Sequence, residues 1–266
     1  MKKQSSSNRL TAASAAIFAI VIAIVSAVNN TASAQNIQLH YDFGKSIYKE
    51  LQPAENTFGR APLTTTVEMF RPDRAGSTFF FIDMDYSNKG VKGAYWEIAR
   101  EFCFWQNSKM NWLSVHLEYN GGLNVHSAGA GVSFNDCWLT GLTYSGHSKD
   151  FSKTWSVSAM YKYIPNTVDA AGKAAQNNYQ ITGVWGINFA NNWMSYSGFI
   201  DFWREWRSWQ NTSHILLSEH QLWVNLNKIQ GWEQFNLSLG TEVEFSNNFV
   251  GAGFYAIPTL AAKWTF

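Results

Sequence analysis

Acidic side chains recur in this sequence two or four positions apart: Asp83 and Asp85, Glu97 and Glu101, Asp201 and Glu205, Glu242 and Glu244, with His116 two before Glu118. Carboxylates held close together can bind a cation, share a proton, or accept hydroxyl protons from a neutral solute. Aromatic residues keep the same step. Phe79 and Phe81 run into Asp83 and Asp85, Phe199 and Trp203 flank Asp201, and Trp223 follows Glu219 and Gln221. Even spacing places side chains on one face of a β-strand, so these groups are expected to share a surface. Aromatic faces beside carboxylates and amides suit a neutral solute with a flat ring and several hydroxyls. The same mixture is also what a narrow closed sheet needs simply to fill its interior and pair its charges, and the residues alone leave both readings open.

The elements that would carry these residues begin after an apolar leader. Lys2, Lys3 and Arg9 precede an apolar run over 12–28, followed by Ala32-Ser33-Ala34. That is the pattern of a secretory signal peptide with cleavage after Ala34; a membrane anchor is the alternative, but the run is at the lower limit for spanning. The chain then divides into 1–34, the leader, and 35–266, which is 266 less 34, or 232 residues. Losing three cations takes the formal charge from +1 to −2, which speaks against a nucleic-acid partner. Two cysteines, Cys103 and Cys137, are too few for a disulfide framework and read as small side chains in strands. Aromatics make up 16% and charged residues only 15%, below the usual quarter, yet no apolar run after the leader reaches helix-spanning length. Export, aromatic richness and low charge without a spanning helix point to an all-β, antiparallel transmembrane barrel in the outer membrane.

Twelve alternating segments follow, at 36–43, 63–70, 77–86, 94–104, 111–120, 130–144, 153–163, 178–189, 192–206, 214–226, 235–246 and 253–266. An even count returns both termini to one side. The longest connections, 44–62 and 164–177, then fall on the opposite side, and Trp105, Trp112, Phe189, Trp193 and Trp232 border turns on the terminal side, where an aromatic girdle belongs. Within strands the faces separate: Trp155, Val157, Ala159, Tyr161 and Tyr163 oppose Ser156, Ser158 and Lys162. Large aromatics on one face argue for an apolar exterior and a polar lumen. The last strand keeps this step to its end, with Trp264 and Phe266 on the apolar face, as an outer-membrane assembly signal requires.

By parity the inner face gathers His40, Asp42, Glu68, Asp83, Asp85, Glu97, Glu101, His116, Glu118, Lys162, Asp201, Glu205, Glu219, Glu242, Glu244 and Lys263, a strongly acidic set. Arg100 and Arg204 are candidates to balance it but fall out of parity, through either a β-bulge or a place on the polar rim. Enzymatic barrels fit less well. Asp83 and Asp85 match the aspartate pair of omptin-type proteases, but no Asp-x-His occurs, and His40-Tyr41-Asp42 has the reverse order. An outer-membrane phospholipase needs a lipid-facing Ser and His, whereas strand histidines such as His40 and His116 face inward by parity, and His126, His147 and His214 lie in or beside loops. No Cys/His cluster has metal-ligand spacing, and neither metal nor cofactor is expected.

The segments GSTFFFIDMDY, SGFIDFW, SEHQLWVNL and LGTEVEFSNNF, the Glu97-Ile98-Ala99-Arg100 step and the terminal PTLAAKWTF resemble the Tsx-like family of nucleoside-specific outer-membrane channels, most persuasively in the last third. That resemblance implies a monomeric twelve-stranded barrel whose narrow pore passes nucleosides by facilitated diffusion. It also implies lumen positions at Asp83, Asp85, Glu97 with Arg100, Asp201, Glu219 and Glu242. In this reading Phe81, Phe199 and Trp203 stack the base, Asp83, Asp85, Asp201 and Glu219 bond hydroxyls, and the other partners are outer-membrane lipid and the barrel assembly machinery. The alternative is a plugged structural or adhesion barrel without transport.

Overall fold

The computed structural model describes residues 34–51, 60–87, 90–125, 130–207 and 211–266; the expected leader lies outside the described residues except for its last residue, Ala34. Twelve antiparallel strands form one closed barrel: β1 (Ala34–Asp42), β2 (Leu63–Asp73), β3 (Gly76–Ser87), β4 (Gly90–Phe102), β5 (Leu113–Val125), β6 (Gly131–His147), β7 (Lys153–Tyr163), β8 (Asn177–Phe189), β9 (Met194–Arg207), β10 (Thr212–Asn225), β11 (Leu237–Asn247) and β12 (Phe254–Thr265). Each pairs with its sequence neighbours, and β1 closes against β12, so no edge is left open. Each of the twelve segments read from the sequence overlaps one strand.

Why these segments form strands is visible in what they bury. Along β1, Asn36, Gln38, His40 and Asp42 are buried, while Ile37, Leu39 and Tyr41 face outward, Gln38 being 2% exposed and Leu39 47%. Along β12, Ala261 is 4% exposed and Leu260 64%. The hydrophobic order of a water-soluble sandwich is inverted. Buried polar groups must find hydrogen-bond partners and an exposed apolar belt must find an apolar solvent, and a closed barrel in lipid meets both demands at once. Strands of 9 to 17 residues meet or exceed the length of about 9–11 residues that a tilted spanning strand needs. Among the described residues no helix is long and apolar enough to cross a membrane.

Two turns on the terminal side are tight. The β2–β3 turn passes through Gly76 at φ +142°, where a side chain would meet the Glu101 carbonyl at 1.9 Å. The β8–β9 turn places Ala190, Asn191 and Asn192 all at positive φ, which asparagine tolerates through local hydrogen bonding. On the opposite side, helix α1 (Gly44–Ile47) and a 3-10 turn (Lys49–Leu51) follow β1, and Leu51 packs on Tyr255 and Ile257 of the inward face of β12. This segment therefore folds into the mouth.

The pairing register shifts at three places: Asp85/Tyr86, Asn120/Gly122 and Thr212/His214. These decide the two arginines. Arg100 has no bulge beside it; it pairs with Thr78, points outward at the rim and ion-pairs with Asp73 at 2.6 Å. Arg204 pairs with His214 next to the third bulge and also stays on the outer face. The expectation that Arg100 lines the lumen is thus corrected, because strict period two from Glu97 and Glu101 carries it outside. Cys103 lies one residue past β4 rather than within a strand, and Cys137 is buried in β6; both are free thiols.

Candidate functional site

The alternation that turns leucines and isoleucines outward leaves a cavity of about 1780 Å³ within the barrel. It reaches from Trp112 and Phe151 at the terminal side to Leu51 and Arg60 at the other mouth. Phe81, Asp83, Asp85, Glu97, Phe199, Asp201, Trp203, Glu219 and Glu242 all line it; of the ten candidate lumen residues only Arg100 does not. Its lining carries thirteen carboxylates against five lysines and arginines, a formal balance of −8 before histidines are counted.

Most of these acids are held by neighbours on adjacent strands. Thr64 donates to Asp85 at 2.6 Å and Thr66 to Asp83 in a short contact, as the β2–β3 register places them opposite. Tyr95 donates to Glu97 at 2.5 Å and Asn120 at 3.1 Å. Thr182 donates to Asp201 at 2.5 Å, and Gln221 to Glu242 at 2.7 Å. His116 lies between Glu101 at 2.6 Å and Glu118 at 2.9 Å. Glu219 differs: it stands directly across from Glu244 in the β10–β11 register, and no donor reaches it among the described residues.

At the mouth, Arg60 clamps two carboxylates from different strands, Asp42 at 2.7 Å and Glu244 at 2.6 Å. Burial opposes its charge, but Glu244 and Asp42 outweigh that and hold its pKa above the ordinary arginine value. Gly44 leaves room for the clamp, since a side chain there would meet Asp42 at 2.9 Å and Arg60 at 3.1 Å.

The aromatics form two kinds of surface. Phe79, Phe81, Tyr95 and Phe134 make a ladder across β3, β4 and β6, with ring centroids 5.9, 5.9 and 6.2 Å apart in turn. Their faces border the cavity beside Asp83 and Glu97. Trp203 and Trp223 do not offer a free face. Lys162 sits 4.6 Å over the Trp203 ring and Lys263 4.2 Å over that of Trp223, and Trp203 is only 5% exposed. The expectation that Trp203 stacks a base gives way to a cation–π contact that fills its face.

Tyr95, Phe134, Arg60 and Arg207 are among the lumen residues that escaped sequence reasoning. Tyr95 has the parity of Glu97 and could have been found. Phe134 is turned inward by the Asn120/Gly122 bulge, and Arg60 comes from a connection, so alternation carries no trace of either. Arg207, inward at the end of β9, contacts Glu205 at 3.3 Å. On the outer wall, His220 shares the outward parity of Leu222 and Val224, against the inward direction expected of strand histidines. Tyr196 lies 2.6 Å from its Nδ1 and Ser218 3.0 Å from its Nε2. This Ser–His pair has the elements of a nucleophile and base, but the Ser218 hydroxyl donates to the Phe199 carbonyl at 2.7 Å and is buried in the wall. A satisfied polar chain is the simpler account. Among the described residues, no group of three or more His, Cys, Asp or Glu is arranged to hold a metal.

A family model described as a domain of unknown function, DUF5020, matches residues 34–266. No curated protein matches the chain. Among solved structures, the NanC porin is similar at 9% identity with a TM-score of 0.54, covering 88% of this chain and 100% of that one. The KdgM porin shows 10% identity and a TM-score of 0.48 over 88% and 99% of the two chains. LpxR from Salmonella typhimurium shows 10% and 0.43 over 88% and 100%. At such identities the NanC likeness concerns the fold, a closed antiparallel barrel, and the other two carry no further weight.

Proposed function

We propose that this chain, which belongs to the DUF5020 family, is an outer-membrane channel for facilitated diffusion of small polar solutes, nucleosides first among them. The observation that carries the reading is the lumen: a cavity touching both mouths, lined by thirteen carboxylates against five fixed cations, with an uncapped aromatic ladder along one wall. A flat base stacks on Phe81, Tyr95 and Phe134, Phe199 borders the opposite side, and Asp83, Glu97 and Asp201 accept ribose hydroxyls. No covalent chemistry is involved. Carboxylates already engaged by Thr66, Tyr95 and Thr182 keep binding weak enough for release. The acidic lining repels nucleotides and other anions. The leader is removed after Ala34, the assembly machinery reads the end of β12 at Trp264 and Phe266, and the barrel works as a monomer with lipid around it and no nucleic-acid partner.

The interior bonds and the inward α1 segment also favour a second reading, a plugged structural barrel. Swelling of proteoliposomes separates the two. Faster swelling with adenosine and thymidine than with glucose, arabinose or a nucleotide, reduced in Asp83→Ala and Asp201→Ala, supports the nucleoside channel. No swelling with any of these solutes leaves the plugged barrel as the better account.

A further inference from the structure

The outer wall carries a feature that solute passage does not need. A groove of about 380 Å³ runs across β4 to β7, lined by Ile98, Leu117, Tyr119, Trp138, Tyr161 and Tyr163, with Thr78 and Arg100 at one end. It follows two adjacent rows of the register: Arg100 pairs with Leu117, Leu117 with Thr140 and Thr140 with Tyr161, while Ile98, Tyr119, Trp138 and Tyr163 form the next row. Thr140 is the small member of its row, between Leu117 and Tyr161.

The polar end is basic. Arg71 pairs with Thr78, which pairs with Arg100, so these three occupy one outward row, and Arg74 stands in the adjoining turn. Asp73 is the carboxylate among them and binds Arg100 through both oxygens, at 2.6 and 2.8 Å. Three arginines against one aspartate leave +2. No ion pair engages Arg71 or Arg74 among the described residues. The Thr78 hydroxyl accepts from Arg100 at 2.9 Å and keeps its own proton to donate. Arg100 also lies 5.3 Å over Phe102, which stacks on the exposed Phe104, so the cluster sits level with interfacial aromatics, where lipid headgroups lie.

We propose that this groove is a binding site for one anionic glycerophospholipid from the leaflet on the terminal side, its phosphate met by Arg71, Arg74 and Thr78 at the Arg100 end, and an acyl chain lying along Leu117, Trp138 and Tyr161. The committed occupant is a membrane lipid, because a headgroup site alone would not need the apolar trough continuous with it, and the charge complements phosphate at the depth where phosphate lies. The inference rests on the membrane reading but is independent of which solute the lumen passes.

The test uses the purified barrel in dodecyl maltoside micelles doped with dioleoyl phosphatidylglycerol or dioleoyl phosphatidylcholine, with retained lipid counted by native mass spectrometry. One phosphatidylglycerol is expected to persist per barrel. Its affinity should fall on the order of a hundredfold when Arg71, Arg74 and Arg100 are all replaced by Gln, and Thr140→Trp, which fills the trough, should release it with the arginines intact. Heat-modifiable gel mobility confirms that each variant remains a closed barrel. Equal retention of the two lipids, undiminished retention in the triple variant, or full displacement by inorganic phosphate at matched ionic strength overturns the proposal. Because conductance is not read, such a failure is distinct from failure of the channel reading.

Discussion

Replacing Arg60 by Ala should destabilise the barrel by a calculable amount. Arg60 is about a quarter exposed, its side chain at 24%, while its partners Asp42 and Glu244 are at 7% and 6%. Removing one member of a fully buried pair costs about 3–5 kcal/mol, chiefly because the other charge is stranded. Partial access to water at the mouth lowers that, whereas two carboxylates are stranded here and Glu244 already faces Glu219 across the β10–β11 register, a like-charge pairing that costs about 0.2–1 kcal/mol. The expected loss is therefore about 2–4 kcal/mol, read from urea unfolding in phospholipid vesicles by tryptophan fluorescence. The companion variant Arg60→Met with Asp42→Asn and Glu244→Gln keeps the shape and removes all three charges, and it should recover most of the loss. Single-channel conductance should rise in Arg60→Ala, since the guanidinium stands in the mouth over β12, between Asp42 of β1 and Glu244 of β11. Stability within about 0.5 kcal/mol of wild type, or a neutral triple variant as unstable as the single one, refutes the clamp as a stabilising element.

Three further outcomes follow from the same geometry. Trp203→Phe should cost about 1–2 kcal/mol of stability while leaving nucleoside-driven swelling close to wild type, because Lys162 already covers the ring, whereas Phe81→Ala should slow nucleosides more than glucose; equal effects on both solutes would disprove the ladder as a stacking surface. Reversal potentials in a potassium chloride gradient should show preference for potassium, shrinking in Asp85→Asn and Glu205→Gln, which line the lumen, and at high salt, where the Debye length falls from about 10 Å at 0.1 M to about 3 Å at 1 M; an anion-selective sign contradicts the acidic lumen. Ser218→Ala should lose about 1 kcal/mol with the hydrogen bond to Phe199 and change no hydrolytic background on phospholipid micelles, and hydrolysis that disappears in this variant would place an esterase on the wall.

The fold was open to reading from sequence because in a barrel the same period-two rule governs every strand and each turn is local. The faces of β1, β3, β7, β8 and β12 follow from counting alone, and so does the inward placement of Asp83, Asp85, Glu97, Asp201 and Glu242. Counting fails where the count itself is broken or where the third dimension intrudes. One extra residue near Asn135 turns Phe134 inward. Arg60 enters from a connection, and Trp203 of β9 is capped by a lysine two strands away on β7. Arg100 illustrates the reverse error: balancing charge drew it toward the acids, while the backbone placed it at the lipid boundary, where Asp73 and Thr78 satisfy it. His220 was readable from the parity of Glu219 and Gln221; what parity does not supply is the partners, Tyr196 and Ser218, that let an imidazole face lipid.

The seam between β1 and β12 sets a clock on the molecule. Every other strand pairing joins neighbours in sequence and can form as soon as a hairpin's worth of chain is present. The seam instead joins residues such as His40 and Thr259, 219 positions apart, and the Phe266 amide bonds to the Gln35 carbonyl at its last rung. Closing so long a loop carries the largest entropic cost of any contact here and comes late in assembly. Until then β1 and β12 are both open edges, each a template for a foreign strand. Until that pairing forms, the chain is an unsealed sheet at its most aggregation-prone, and the meeting of β1 with β12 is what ends the interval.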